Sequence, residues 1–374
     1  MKKIVHLIHL DHQKDKTNLF HVVDSLAKSQ HEMGERVEVW TISSFPQQEP
    51  SRETYSSKSF TPHWSRFTLS AALIEELNAH SCTTVFHFHG KFIPEFYTIA
   101  KRLKSKGIPY VVTPLGIQAQ RSFPKTLHFD HIEQFVLQNA VFIHCKIEEE
   151  IHIIQRMGNF KRFQLIPQGH HVSTFQMGTQ KPTFVEGPVF GFCGSALRDQ
   201  RSVDLLLNAF RLYKCEWQGK GKLWLIAEEN SIDYLSRSAN MCEIKEDVAF
   251  FAGTNNHDKR HLMSQLDAFY QPSCHEEAPL HVVEAAAMGK AVVVSEQTNM
   301  TPYVSAYMAG ICLLKNTPEE IAKSMKKVAD LKKIGLLDKL GTSARRMVED
   351  HFDWKIIGKR MVEAYERNWE LAGI

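Results

Sequence analysis

The stretch PSCHEEAPLHVVEAAAMGKAVVV, residues 272–294, decides the fold of the region around it. Its run LHVVEAAAM is typical of a short buried helix, and AVVV is typical of a buried strand. Pro279 suits the first position of that helix because proline has no N–H group that needs a partner there. Gly289 is expected to end the helix. The stretch therefore predicts a loop, a helix and a strand, which are parts of a parallel α/β sheet.

Two glutamates in this stretch differ in their expected positions. Glu276 falls in the loop, whereas Glu284 lies inside the helix on the same stripe as Leu280 and Met288. A carboxylate in so apolar a helix needs hydrogen-bond donors, which the hydroxyls of a sugar could supply. The loop also leads into a helix N-terminus, whose N–H groups suit a phosphate. In the alternative interpretation, Glu276 is a turn residue and Glu284 points along a solvated edge.

The same alternation of apolar strands and amphipathic helices runs through the whole chain. A chain of 374 residues is long enough for two domains, and the alternation predicts two doubly wound, Rossmann-like α/β domains. We expect a helix from Ser25 to Met33, ended by Gly34, to cover the first sheet. The Ser/Pro-rich residues 43–63 are predicted to form a long loop.

Residues 176–188, QMGTQKPTFVEGP, contain two prolines and two glycines without periodicity, which indicates a linker. The predicted parts are an N-terminal domain, a C-terminal domain and a final helix, at residues 1–178, 188–352 and 353–374.

The composition is that of an ordinary globular protein. It is 43% hydrophobic and 23% charged, and 45 basic residues nearly balance 42 acidic ones, so charge alone favours no particular partner. No segment approaches the roughly 18 to 20 apolar residues of a membrane span, and we find no cleavable signal pattern. The seven cysteines form no C-x-x-C pair. These features lead us to expect a cytoplasmic protein with reduced thiols.

The pattern P-S-x-x-E-x-x-P-L-x-x-V-E-A-x-A-x-G-x-A-V-V resembles the E-x7-E signature of the retaining GT-B glycosyltransferases of family four. IPYVVTPLG, IPQGHHVSTF, FGFCGSALRDQRSVDLLLNAF and LDAFYQPS resemble further segments of that family, in the same order. The resemblance implies a GT-B fold, with two Rossmann-like domains facing a cleft and the last helix packed back on the N-terminal domain. It also implies transfer of a sugar, with retained anomeric configuration, from a UDP- or GDP-sugar to a glycan or lipid-linked acceptor, in cell-surface polysaccharide synthesis. The family needs neither a metal nor a further cofactor, and no nucleic-acid partner is expected.

The resemblance assigns roles to particular residues. Glu276 would contact the transferred sugar, and His89 is the acceptor-side candidate, which makes these two the expected catalytic residues. His89 lies in HFHG, where Gly90 would bring it to the end of a strand, although a structurally satisfied histidine remains an alternative. Glu284 would bind the ribose. The expected donor-binding residues are Gly194, Ser195, Arg201, Glu277, Ala278, Leu280 and Glu284.

The sequence also departs from the family pattern. Leu115 replaces the histidine of T-P-H-G, and Ser195 replaces a phosphate-binding arginine, while Arg201 stands where the partner lysine would be, with Arg198 nearby. These departures keep open a non-catalytic accessory or binding subunit, and a nucleotide-sugar epimerase shares the fold.

Two further features bear on partners. The basic stretches at 101–106 and 326–333 are either solvated faces or contacts with anionic lipid at the inner membrane surface. The histidines at 87, 89, 170 and 171 match no known metal-site spacing, so no metal is expected.

Overall fold

The computed structural model describes residues 3–10, 15–44, 54–65, 67–90, 93–114, 127–176, 186–194, 200–252, 256–274 and 280–371. The chain divides into two compact units. Unit 1 comprises Met1–Gly169 and Trp354–Ile374, and unit 2 comprises His170–Asp353. No helix in the described part of the chain has both the length and the apolar character that a membrane span requires.

Unit 1 is a parallel α/β sheet with helices in the connections. Its elements are β1 (Lys3–Leu10), α1 (Asp15–Glu32), β2 (Val37–Ser43), β3 (Ser56–Phe60), α2 (Ala71–Asn78), β4 (Thr84–Gly90), α3 (Pro94–Ser105), β5 (Tyr110–Pro114), α4 (Leu127–Gln138), β6 (Ile143–Cys145), α5 (Glu148–Met157), β7 (Phe163–Leu165) and the last helix of the chain, Trp354–Leu371. The strand order is β3-β2-β1-β4-β5-β6-β7. β1 lies between β2 and β4, with Ile4 beside Val37 and Lys3 beside Thr84.

Unit 2 repeats this architecture with six parallel strands. Its elements are β8 (Val189–Cys193), α6 (Gln200–Trp217), β9 (Lys222–Ala227), α7 (Ile232–Met241), β10 (Val248–Ala252), α8 (Asn256–Ser264), β11 (Ala268–Gln271), α9 (Leu280–Ala287), β12 (Ala291–Val294), α10 (Thr301–Tyr307), β13 (Gly310–Cys312), α11 (Pro318–Lys333) and α12 (Leu337–His351). The strand order is β10-β9-β8-β11-β12-β13. The last helix of unit 1, Trp354–Leu371, is α13. Two parallel α/β sheets therefore confirm the predicted fold class.

Buried apolar side chains cover both faces of each sheet. In unit 1, Leu7 and Phe88 face a core with α3, whereas Ile4 and Ile8 face a core shared with α1 and α13. Parallel strands buried on both faces require such nearly continuous apolar sequences, as KIVHLIHL and VFGFC show. Gly34 and Gly289 follow α1 and α9 with φ of 91° and 72°, a conformation in which glycine has no steric penalty.

The structure differs from the sequence analysis in three places, the first of which is α1, since this helix begins at Asp15 and not at Ser25. β3 lies inside the predicted loop 43–63, because SSKSF forms a largely exposed edge strand through backbone pairing with β2 rather than through apolar alternation. The boundary between the units falls after Gly169 and not within 176–188. Val172 and Phe175 already pack in the core of unit 2, so contacts with unit 2 begin before the linker-like composition does.

α13 is attached to unit 1 through buried polar contacts as well as apolar ones. The Tyr365 hydroxyl lies 2.5 Å from Nδ1 of His87, on β4, and Nε2 of His87 lies 2.6 Å from Oγ1 of Thr113. His144 continues this network, with its Nδ1 2.7 Å from the same threonine oxygen and its Nε2 2.8 Å from the carbonyl oxygen of Ile166. Burial lowers the pKa of His87 well below its usual value and that of His144 to about 4. Both imidazoles are therefore neutral at pH 7.

We predict that Tyr365→Phe destabilises the fold by about 1 to 3 kcal/mol, because it leaves a buried imidazole nitrogen without a partner. Tyr307→Phe is a matched control, since its hydroxyl bonds Asp350 at the surface and its loss should cost at most about 0.5 kcal/mol. Denaturant unfolding of both variants measures the difference. Equal losses for the two variants would contradict the prediction.

Candidate active site

The candidate site of unit 2 lies where its strand order reverses. β8 lies between β9 and β11, so the connections leaving β8 and β11 run in opposite directions along the sheet. Ligands of open α/β sheets bind at such a switch point, beyond the carboxyl ends of the strands. Cys193 ends β8 and Gln271 ends β11. Gly194 and the segment after Gln271 therefore begin at this edge.

Hydrogen bonds fix the segments that leave the two strands. The Gly194 amide donates to the carbonyl oxygen of Ile226 (3.1 Å), which holds the end of β8 against β9. The Cys274 amide donates to Oγ of Ser202 (3.2 Å), so the chain just before residues 275–279 is joined to the first turn of α6. Arg201 is the neighbour of Ser202 and is exposed. The structure thus brings Arg201 and the segment that precedes α9 to the same edge.

Asn316 supports the same segment and was not identified from the sequence. Its Nδ2 atom donates to the carbonyl oxygens of Pro272 (3.0 Å) and Ser273 (2.9 Å). Oγ of Ser295 donates to the Ser273 carbonyl as well (2.9 Å). The backbone of residues 272–273 is therefore held from two sides.

Glu284 lies on α9, and both of its oxygens have cationic partners. Nζ of Lys259, on α8, lies 3.0 Å from Oε1 and 2.9 Å from Oε2, and Nδ1 of His281 lies 3.0 Å from Oε2. Burial alone would raise the pKa of Glu284, but the His281 hydrogen bond and the Lys259 charge outweigh burial and lower the pKa to about 2. Glu284 is therefore an ionised, half-buried carboxylate, and the solvated-edge alternative does not apply.

Two histidines beside Glu284 carry different charges. Burial lowers the pKa of His281, but hydrogen bonds with Cys193 and Glu284 more than compensate and raise that pKa to about 9. Burial lowers the pKa of His170 to about 4, although the negative charge of Glu284 opposes the shift. At pH 7 the surroundings of Glu284 thus hold two cations, Lys259 and protonated His281, and one neutral imidazole.

Spacing along the sequence indicates one of these partners. His281 stands three residues before Glu284, so helical spacing alone would place the two side chains together. Lys259 is 25 residues away on a different helix, and only the packing of α8 beside α9 reveals it.

Several predicted site residues lie outside the described residues. These are Ser195, Glu276, Glu277 and Ala278, as well as Leu115 and Arg198. Leu280 is described and is 39% exposed at the start of α9, so it is available at the edge of the site.

His89 does not reach a surface. It is 4% exposed, and its Nε2 lies 2.9 Å from Nδ1 of His6, whose Nε2 in turn lies 2.7 Å from Oε1 of Gln30. Burial holds the pKa of His89 well below its usual value. These contacts favour the structural alternative for His89 over a role in catalysis.

His6, His87 and His89 each place one ring nitrogen within 4.8 Å of the others, a spacing that a metal ion could bridge. However, His87 uses both ring nitrogens in short hydrogen bonds, and His6 uses both of its own. We therefore interpret the cluster as a polar network inside unit 1.

We predict that Lys259→Met destabilises unit 2 by about 1 to 3 kcal/mol, because it leaves a half-buried carboxylate without one of its two cations. The control is Lys359→Met, whose partner Glu363 is 3.9 Å away at an exposed site, where such a pair contributes about 0 to 0.5 kcal/mol. Both values come from denaturant unfolding. A Lys259 variant as stable as the control variant would refute the role assigned to Lys259.

Part of the chain matches a known protein family. Residues 179–347 match the family "Glycosyl transferases group 1". An uncharacterized glycosyltransferase of Methanocaldococcus jannaschii is 24% identical over 174 residues, and the match spans 46% of this chain and 44% of that relative.

Two solved structures are similar over nearly their whole length. A glycosyltransferase from Rickettsia africae has a TM-score of 0.75 at 14% identity, covering 98% of this chain and 99% of the other. The Anabaena protein HepE, solved in complex with UDP, has a TM-score of 0.70 at 15% identity. The match covers 98% of this chain and 100% of the HepE chain. The chain thus has the GT-B fold of these structures, and its residues 179–347 match the model of the glycosyl transferases group 1 family.

Proposed function

We propose that this protein is a glycosyltransferase that moves a sugar from a nucleoside-diphosphate sugar to a glycan or lipid-linked acceptor, with retained anomeric configuration. The observation that carries the proposal is the ionised Glu284 on α9, at the switch point of a sheet that matches a glycosyltransferase family. A carboxylate fixed at that edge can accept hydrogen bonds from neighbouring hydroxyl groups of a bound nucleotide.

Glu284 would bind the ribose of the donor. Each carboxylate oxygen has two lone pairs, and Oε2 already receives Lys259 and His281, whereas Oε1 receives Lys259 alone. Oε1 therefore has capacity for one ribose hydroxyl without any rearrangement. A second hydroxyl would require Lys259 to shift towards solvent or towards the diphosphate.

The diphosphate would lie at the same edge, between two helix starts. Arg201 is exposed in the first turn of α6, and a guanidinium can bind a diphosphate through two parallel hydrogen bonds. The N-termini of α6 and α9 add partial positive charge. UDP in the similar Anabaena structure supports a uridine donor, and a guanosine donor is the alternative.

The chemistry follows from stabilising the leaving group. As the bond between sugar and diphosphate breaks, negative charge grows on the diphosphate, where Arg201 and the helix N-termini would stabilise it. In the mechanism proposed for the family, a diphosphate oxygen then takes the proton of the attacking acceptor hydroxyl on the same face of the sugar. Glu276 would act beside the sugar as charge develops on the ring, and no metal or further cofactor is required.

Bare nucleoside diphosphate separates the roles of the two glutamates, because it has a ribose but no transferred sugar. We expect Glu284→Gln to weaken binding of UDP or GDP and to raise KM for the donor. Glu276→Gln should lower kcat and leave binding of the bare nucleotide nearly unchanged. Isothermal titration and steady-state kinetics measure the two effects.

Arg201→Ala serves as a positive control in the same titration, with an expected loss of roughly 2 to 4 kcal/mol. Arg211→Ala, also exposed on α6 but two to three turns away, should have no effect. Loss of nucleotide binding in Glu276→Gln but not in Glu284→Gln would reverse the assignment. Wild-type protein that binds a nucleotide sugar but neither transfers nor hydrolyses it would support a non-catalytic binding subunit instead.

We also propose that the enzyme is cytoplasmic and works at the inner membrane surface in cell-surface polysaccharide synthesis. Unit 1 has a surface that suits an anionic bilayer, consisting of Trp64, Phe67, Lys101, Lys104 and Lys106. Trp64 is 91% and Phe67 44% exposed, and the three lysines are exposed on or just after α3. Aromatic side chains beside lysines are typical of contacts with lipid head groups.

The aromatic and basic parts of this surface are joined by defined contacts. Oγ1 of Thr98, on α3, donates to the carbonyl oxygen of Phe67 (3.0 Å), which ties the aromatic turn to the basic helix. Lys101 and Lys104 lie over aromatic rings, whereas Lys326 of the second basic stretch pairs with Asp330. The charges on α3 therefore remain available to anionic lipid, and those on α11 are partly neutralised.

We expect the protein to float with vesicles that contain phosphatidylglycerol but not with vesicles of phosphatidylcholine alone. The double variant Lys101→Glu/Lys104→Glu should lose at least about tenfold in partitioning, since each lysine near an anionic surface contributes about 1 kcal/mol. Lys327→Glu/Lys333→Glu is the charge-matched control on α11. Binding that is equal in both double variants, or absent in wild type, would argue against this surface.

A further inference from the structure

Glu95 is a buried carboxylate whose oxygens have no hydrogen-bond partner among the described residues. It is the second residue of α3 and is 1% exposed, and neither Oε1 nor Oε2 receives a donor. Among the described residues, the His9 imidazole approaches this carboxylate, with its Nε2 3.9 Å from Oε1, beyond hydrogen-bond length. Leaving a buried carboxylate without donors is costly, and native proteins keep few such groups.

Its position in unit 1 corresponds to the ligand-binding edge of a doubly wound sheet. β1 lies between β2 and β4, and the connections from β1 and β4 leave in opposite directions, so the switch point of unit 1 lies between these two strands. His9 is the second-last residue of β1, and Glu95 follows the end of β4 by five residues. Both side chains therefore lie at the carboxyl edge where ligands of such sheets bind.

The carboxylate of Glu95 lies at the N-terminus of its own helix, α3. Glu95 stands in the first turn of α3, a twelve-residue helix, so the partial positive charge of the helix N-terminus lies beside its carboxylate. That field stabilises the charge but supplies no hydrogen bond. Both oxygens keep the capacity to accept donors, and each oxygen can accept from a hydroxyl group.

We propose that Glu95 binds two neighbouring hydroxyl groups of a sugar in the acceptor, with His9 bordering that sugar. A carboxylate that only accepts hydrogen bonds suits a diol, and its charge disfavours a phosphate in the same place. This inference rests on the proposed function, because that function supplies a sugar acceptor. It assigns the acceptor sugar to unit 1 and gives Glu95 a binding role, not a catalytic one.

The probes are the methyl glycosides of glucose, galactose, mannose and N-acetylglucosamine. Saturation-transfer NMR measures their binding to the full chain. We expect wild-type protein to bind at least one of them and Glu95→Leu to bind it at least about tenfold more weakly, as hydrogen bonds to a charged group are lost. Glu95→Leu should also unfold at the same or a higher temperature than wild type, since a buried charge without donors is removed. Glu95→Gln provides a second variant that keeps the polar shape, and it should lose part of the affinity.

Glu133→Gln is the control, because Glu133 is a buried carboxylate of the same unit that has partners in the fold. It should keep glycoside binding. Equal glycoside binding in wild type, Glu95→Leu and Glu95→Gln would overturn the proposal, as would a wild-type protein that binds none of the probes. Titration with UDP distinguishes this failure from failure of the proposed function, because both Glu95 variants should bind UDP as wild type does.

Discussion

Parallel strand pairing is the constraint on which both units depend. All strands of a parallel sheet end at the same edge, and a strand order that reverses once leaves two connections diverging at that edge. The reversal lies between β1 and β4 in unit 1 and between β8 and β11 in unit 2. Polar side chains can occupy these two places because the diverging backbones leave room there, whereas the faces of the sheets are filled mainly by apolar residues. The positions of the candidate sites in both units are therefore set by the order of the strands, and not by any single motif.

The unit 2 site shows how an apolar helix can hold a charge. α9 is apolar on most of its surface, and a carboxylate on it would normally be protonated or turned outwards. Lys259 approaches from α8 and His281 from the preceding turn, and together they keep Glu284 ionised. Because the cations come from two helices, the position of the carboxylate depends on how α8 packs beside α9. The ligand binding proposed at Glu284 would thus depend on the stability of that helix pair.

Local patterns in the sequence predicted the strands and helix ends whose formation depends on neighbouring residues. The apolar runs predicted most strands, and the helix ends at Gly34 and Gly289 followed from the conformation that glycine allows. β3 was missed because an exposed edge strand needs only backbone pairing, which leaves no apolar pattern in SSKSF. The unit boundary was placed too late because composition does not reveal that Val172 and Phe175 pack in unit 2.

Hydrogen-bond partners that are distant in the sequence could not be predicted from the motifs. The HFHG motif indicated a histidine at the end of β4. Only the structure shows that His89 forms a hydrogen bond with His6, and that His6 forms another with Gln30. Lys259 was indistinguishable from an ordinary surface lysine for the same reason. In each case, the side chain's environment is created by elements that meet only after folding, so spacing along the chain could not reveal it.

Glu284 and Glu95 differ in a way that bears on the ligand binding proposed for each. Glu284 has two cations, so a hydroxyl that reaches it adds to a network already satisfied and gains little beyond one hydrogen bond. Glu95 has the field of a helix N-terminus but no donor among the described residues, so a hydroxyl that reaches it also relieves an unsatisfied charge. Per hydrogen bond, a ligand of Glu95 would therefore gain more than a ligand of Glu284. The proposed diphosphate would compensate for this in unit 2, because Arg201 and two helix starts could bind its charge.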